Sequence, residues 1–249
     1  MERILTGIKG LDELLKGGLP KGKCILVVGS PGSGKTTLIM QFLYTGALQG
    51  ERGLYITMDE KPEQVKENFS TFGWNLDQME EEGKLIFLDA TPIRVFRRVY
   101  KNDESRLSGL DFLRVPELTL NSLIKTINRI IEEEDIQRIA VDPITPIMLR
   151  YEKRSKERRA KLLFFDALVE SGCTSCVTTE LRTSMLDRDF QIEEFLSQGV
   201  ILLHTITHEG SIIKAIQIEK MRGIEHDAQL RPYQITNKGI EVSPKDRVF

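Results

Sequence analysis

Cysteine, aromatic residues and any surplus of charge of one sign are scarce in this 249-residue chain, and each shortage excludes something. Three cysteines, Cys24, Cys173 and Cys176, are too few for a disulfide framework. Cys173 and Cys176 form a lone Cys-x-x-Cys, and a structural zinc would need two further ligands that His204 and His208 do not supply at a suitable spacing. Cys176 belongs to an apolar strand, Thr174–Thr179, where a free thiol packs as a small hydrophobe. Lys and Arg number 35 against 37 Asp and Glu, so a polyanion would have to be held by a local patch, not by the field of the whole molecule. No apolar run is long enough to cross a bilayer, and Met1-Glu2-Arg3 does not begin a signal peptide. The chain is therefore expected in the cytoplasm and off the membrane. Internal repeats, low-complexity tracts and linkers are missing too, which makes residues 1–249 one expected domain.

What is present alternates. Strand-length apolar runs at Cys24–Val28, Leu54–Met58, Leu85–Leu88, Arg138–Val141 and Cys176–Thr179 are separated by helical patterns at Lys35–Gln49, Glu63–Phe72, Leu118–Glu133 and Glu157–Glu170. Such alternation predicts an α/β fold with a mainly parallel, twisted sheet flanked by helices. From Gly199 onward the pattern changes to consecutive antiparallel strands at Val200–Thr205, Ile212–Glu219 and Gln234–Thr236, with a hairpin turn at His208-Glu209-Gly210. Thr91–Pro116 is a long basic connection carrying Arg94, Arg97, Arg98, Lys101 and Arg106, either functional or mobile.

The loop Gly29-Ser30-Pro31-Gly32-Ser33-Gly34-Lys35-Thr36 matches G-x-x-x-x-G-K-[ST] in full, between a predicted strand and a predicted helix. Glycines let the backbone wrap a phosphate chain with its N–H groups pointing inward. Ser30, Pro31, Gly32, Ser33, Gly34, Lys35, Thr36 and Thr37 are thus expected to bind ATP, Lys35 as a charge on the β- and γ-phosphates and Thr36 as a Mg²⁺ ligand. Asp142, ending the apolar strand Arg138–Val141, has the form of the second acid that holds magnesium. Asp59 and Glu60 follow strand Leu54–Met58 at the end where α/β sheets bind ligands. By their residues alone they read equally as catalytic acids or as a polar turn before a helix.

Thr6-Gly7-Ile8-Lys9-Gly10-Leu11-Asp12 and Gly17-Gly18-Leu19-Pro20-Lys21-Gly22 resemble the approach to the P-loop in the KaiC-like branch of the RecA superfamily. Phe72-Gly73-Trp74, Thr178-Thr179-Glu180, Lys220-Met221-Arg222-Gly223 with His226, and Pro232-Tyr233-Gln234-Ile235-Thr236 before Gly239-Ile240 extend the resemblance over nearly the whole chain. It looks like a single-domain KaiC-like protein of the kind also described as a RadA paralogue. The resemblance implies a RecA-like P-loop ATPase fold. It further implies Asp59 and Glu60 as the catalytic acids with Glu60 favoured as base, Thr71 as a nucleotide contact, and Glu180 as γ-phosphate sensor. Lys220, Met221, Arg222, Ile224 and His226 match the segment that reaches a neighbour's ATP in a ring or filament. Ile224 and Glu225 stand where such proteins tend to carry small hydroxyl residues, and Asn237 replaces a common Asp.

The work done by the ATP is less legible. The segments Pro143–Lys156 and Leu181–Gln191 correspond to the loops that line the channel of RecA-like rings. Arg150, Lys153, Arg154, Lys156, Arg158, Arg159 and Lys161 form a cationic run that could follow single- or double-stranded DNA, or simply a solvated helix face. Tyr151 is the only aromatic beside it, and base stacking would want more. Three classes remain: a Mg-dependent ATPase in DNA repair or recombination, a KaiC-like signalling ATPase or autokinase, and a nucleotide-gated interaction module with little turnover.

Overall fold

The computed structural model describes residues 1–91, 119–149, 151, 153–181 and 190–248. The basic connection from residue 92 to 118, most of the second expected channel loop, Arg150 and Glu152 lie outside the described residues.

Strand β3 (Cys24–Gly29) is buried along its whole length and lies inside the sheet, covered on both faces. A parallel strand in that position reads as a continuous apolar run, which is why Cys-Ile-Leu-Val-Val-Gly has no polar alternation. Strands β4 (Arg52–Thr57), β5 (Leu85–Asp89), β6 (Ile136–Asp142) and β7 (Thr174–Glu180) run parallel to it. Among the described residues, strands β8 (Gly199–His208), β9 (Ser211–Met221), β10 (Arg231–Thr236) and β11 (Gly239–Val242) complete a nine-stranded sheet ordered β11-β10-β9-β8-β3-β7-β6-β4-β5. Only β8 of these four is parallel to β3; the rest extend one edge as an antiparallel ladder. Glu209 and Gly210 turn β8 into β9 with φ of 48° and 78°, the backbone a two-residue hairpin requires. Two-residue strands β1 (Arg3–Ile4) and β2 (Leu19–Pro20) pair separately. The whole is the RecA-like α/β arrangement the sequence implied, with its predominantly parallel half and antiparallel C-terminal half.

Helix α2 (Lys35–Leu48) departs from expectation. Its pattern predicted one apolar face from Leu38, Ile39, Phe42 and Leu43, yet Thr37, Met40, Gln41, Gly46 and Ala47 are buried as well. The reason is that the chain's last strands return over it: Ile240 N–H donates to Gln41 Oε1 at 2.8 Å. In chain order, helix α1 (Leu11–Leu14) lies between β1 and β2, and helices α3 (Pro62–Ser70) and α4 (Leu76–Glu81) lie between β4 and β5. The other sheet face carries α5 (Leu120–Glu134), α6 (Thr145–Met148) and α7 (Arg154–Glu170), whose Leu123, Ile127, Phe164 and Phe165 pack on Leu26, Val28, Leu54 and Ile139. Short helix α8 (Ile192–Leu196) leads into β8. The three cysteines are buried and unpaired, and burial pushes the Cys176 thiol up to about 12. That protonated, enclosed state fits packing, not ligation.

Arg138, at the start of the β6 strand, is fully buried. It pairs with Glu51 and donates to Phe42 O at 2.7 Å and Leu5 O at 2.9 Å, with its guanidinium over the Phe42 ring. It thereby ties the N-terminal segment, the end of α2 and the central sheet together. Gly46 makes room for it, since a Cβ there would lie 2.4–2.8 Å from Arg138 side-chain atoms. Gly46→Ala should gain up to about 1 kcal/mol in helix propensity. Overpacking against a side chain fixed by several partners costs about 1–3 kcal/mol. The clash wins: the melting temperature, followed by circular dichroism, is expected to fall by about 2–6 °C. A rise would show that Arg138 can yield.

Candidate nucleotide site

β3 ends at Gly29 and α2 begins at Lys35, so the phosphate loop hangs between a buried strand and a buried helix. Gly34 sits in the left-handed region at φ 91°, and a Cβ on it would meet Ile235 Cδ1 at 2.8 Å. No other residue fits. Helix α2 has no side-chain N-cap and no acidic residue in its first turn. Its first amides are therefore not taken by a side-chain cap and no first-turn carboxylate offsets its dipole, which suits the loop to an anion. Lys35 Nζ donates to Gly29 O at 2.9 Å and Ser30 O at 3.1 Å, curling its charge over the loop. Burial lowers the Lys35 pKa, against the opposing pull of Asp142 and Glu180. The C-terminal strands brace the loop from outside. Tyr233 donates to Ser33 O, Lys214 to Gly32 O at 2.6 Å, and Ser30 Oγ to Thr205 Oγ1 at 3.3 Å.

The acids stand on neighbouring strand ends. Asp142 closes β6 in register with Thr57 of β4, and Glu180 closes β7 in register with Gly29. The Asp142 carboxylate accepts from the Tyr55 phenol at 2.9 Å and from the Thr178 hydroxyl. Burial, and then the charge of Asp142, hold the Tyr55 phenol well above the usual range, so it stays a donor. Asp59 and Glu60 follow β4 and are exposed, and Glu60 accepts from Asn68 Nδ2 at 3.2 Å. The Thr57 hydroxyl donates to Glu60 O, anchoring the acid pair to the strand. Thr36, Thr37 and Glu60 line a cleft of about 220 Å³ with Asn68, Phe69 and Phe72. Thr71 lies exposed beside Phe72, its hydroxyl donating to Asn68 O. Lys35, Thr36, Asp142, Asp59, Glu60 and Glu180 thus share one edge of the sheet, the carboxyl ends of its parallel strands. The residues present fit a magnesium nucleotide. Mg²⁺ takes few protein ligands, and Thr36 and Asp142 are the side chains that would hold it beside phosphates and water.

Lys220 and Arg222 do not join them. β9 is antiparallel, and its end pairs Met221 with Gly199, whereas the loop end of β3 lies beside Leu203 and Ile216. From Ile216 to Lys220 the strand rises roughly 13 Å away from the phosphate loop. β9 is flanked by β8 and, at Ala215 and Ile216, by β10. Lys220 is turned onto its own chain, donating to Glu194 O and, at 2.7 Å, to Ser197 O, and Arg222 reaches Phe195 O at 3.4 Å. Burial, with Arg222 adding like-charge repulsion, lowers the Lys220 pKa. Met221 is buried against Gly199, so only its backbone could meet a ligand. Ile224 packs on the core, and His226 Nδ1 lies 3.4 Å from Ile224 O.

Lys161 has to be withdrawn from the cationic run. It is buried between Glu157 at 2.7 Å and Glu193 at 2.8 Å, so it offers nothing to a phosphate backbone. The i,i+4 spacing to Glu157 hinted at this, but Glu193 arrives from a distant helix. Tyr55, Thr178 and Asn68 escaped the sequence reading as site residues, though Tyr55 and Thr57 share a strand face by their spacing of two.

The family profile described as ATPase: KaiC matches residues 4–247. A UPF0273 protein of Methanopyrus kandleri is 33% identical over 100% of this chain and 94% of its own length. The circadian clock oscillator protein KaiC of Synechococcus elongatus is 32% identical over 97% of this chain, which spans only 44% of that protein. The crystal structure of a KaiC-like protein from the archaeon Pyrococcus horikoshii superposes with a TM-score of 0.81 at 30% identity, covering 98% of this chain and 99% of that one. A profile match running almost end to end, on the strands and loop just described, makes this chain a member of the KaiC ATPase family.

Proposed function

We propose that this chain binds ATP with Mg²⁺ at Gly29–Thr36 and hydrolyses it in an assembly of its own copies. The observation that carries the reading is the convergence on one sheet edge of an uncapped helix start, Lys35 and the Asp142 carboxylate. Bound magnesium would supply positive charge against that of the phosphates. Lys35 and the α2 amides hold the phosphates, Thr36 and Asp142 hold the ion, and Glu60, with Asp59 beside it, orients and deprotonates water. Glu180 faces the outermost phosphate. Lys220 and Arg222, remote from their own phosphate loop, act on the nucleotide of a neighbour in a ring or filament.

Lys35→Ala is the direct test of binding. It removes a charge-assisted contact worth about 1.5–3 kcal/mol, so the Kd for ATP is expected to rise about 10–100-fold. Isothermal titration measures it. Affinity within about threefold of wild type, a change of about 0.65 kcal/mol, would overturn the site. The purpose served is separable as well. Lys153, Arg154, Lys156, Arg158 and Arg159 remain exposed after the loss of Lys161. ATP-dependent binding of single-stranded DNA that weakens steeply with salt would mark a role in DNA repair or recombination. Its absence would favour signalling.

A further inference from the structure

Asp142 is oriented from inside the sheet. Tyr55 and Thr178 are 1% and 0% exposed, so neither hydroxyl has water as an alternative partner. One donates to Asp142 Oδ2 and the other to Oδ1. The three side chains meet because Tyr55 and Thr57, Ala140 and Asp142, and Cys176 and Thr178 are pairs two residues apart on adjacent strands. Each pair occupies one face, here the face packed on α2. An ionised carboxylate offers about four acceptor sites. Among the described residues Tyr55 and Thr178 take two, one on each oxygen, which leaves one on each for a cation.

The donors are neutral, and that decides what the arrangement is good for. A lysine or arginine in either place would hold the carboxylate but compete with a divalent cation for its charge. Lys35, the nearby cation, spends its hydrogen bonds on the Gly29 and Ser30 carbonyls instead. A phenylalanine at position 55 would keep the ring contact with Phe87, whose centroid lies 5.6 Å away, and would let the carboxylate turn. Thus the full charge of Asp142 is preserved while its direction is set.

We infer that Tyr55 is a positioning residue for the magnesium site, aiming Asp142 at the cation without touching it. This rests on Asp142 being the metal-holding acid of the proposed function. β4 then serves the site twice, through Tyr55 within the strand and through Asp59 and Glu60 beyond its end.

The test reads metal dependence, not turnover. Affinity of the full chain for a fluorescent ADP analogue is titrated against Mg²⁺ and repeated in EDTA, for wild type, Tyr55→Phe and Thr178→Val. Outer-shell partners of metal ligands contribute about 10–100-fold. Tyr55→Phe is expected near the lower end, raising the half-saturating Mg²⁺ concentration about tenfold and leaving affinity in EDTA within about twofold of wild type. Thr178→Val is expected to shift it in the same direction, and it carries the test alone if Tyr55→Phe does not fold. An unchanged magnesium midpoint in a variant whose wild type responds to Mg²⁺ overturns the positioning role and leaves ATP binding standing. Equal loss of affinity with and without Mg²⁺ overturns it too, since the hydroxyl would then serve only the fold. A wild type indifferent to Mg²⁺ removes both readings.

Discussion

Glu60→Gln is expected to leave ATP bound while lowering its hydrolysis by about 10²–10⁴-fold, the contribution of a positioned general base. The amide keeps the length and shape of the carboxylate and loses the ability to take a proton from water. Position supports Glu60 over its neighbour. Its carboxylate is steadied by Asn68, its carbonyl is tied to β4 by Thr57, and its side chain lines the cleft beside Thr36. Phosphate release under steady state, with nucleotide affinity measured on the same protein, separates loss of chemistry from loss of binding. If Asp59→Asn proves the more damaging change, the two acids hold each other's roles. If neither change slows turnover, the pair is only the polar turn that its residues alone also allow.

Arg222→Ala tests the shared site, and its effect should be as large. Arginines supplied across an interface contribute about 10³–10⁵ in rate. A loss near 10³-fold or somewhat less is expected, because Ile224 and Glu225 depart from the family's usual residues at this interface. The fold makes the trans assignment a physical one. Arg222 follows the end of β9 that runs away from its own phosphate loop, so a role at a nucleotide would have to be played at another copy's. Lys220 must first leave the carbonyls of Glu194 and Ser197, an exchange of hydrogen bonds that ATP in the interface would drive. Hydrolysis should therefore fall on dilution, and ATP should shift the protein from monomer toward a ring or filament by mass action. Mixing is the sharpest measurement. Glu60→Gln and Arg222→Ala proteins, each strongly impaired alone, should recover part of the activity together, since a mixed interface pairs an intact base with an intact arginine. Concentration-independent turnover by a monomer, with no recovery on mixing, would rule out the shared site.

The sequence by itself determined what is local. Eight consecutive residues specify the phosphate loop, because glycine backbone, a lysine and a hydroxyl need only their own spacing to define it. The continuous apolar runs named the buried parallel strands, and Glu209-Gly210 named the hairpin, since period and turn chemistry are read within a few residues. Short pieces escaped: α4, capped by Asn75, is too brief to show a helical period.

Tertiary structure alone decided which distant groups meet. The partner of Asp142 is Tyr55, 87 residues earlier, and register alone brings them together. Lys161 read as one more solvent cation until a second acid from a separate helix enclosed it. Lys220 and Arg222 read as residues that reach a nucleotide, but only strand direction shows that the end of β9 runs away from their own phosphate loop. A side chain's type is written in the chain. Whether it faces water, a carboxylate or a neighbouring subunit depends on strand order and direction, which the burial of the whole sheet selects and no local pattern contains.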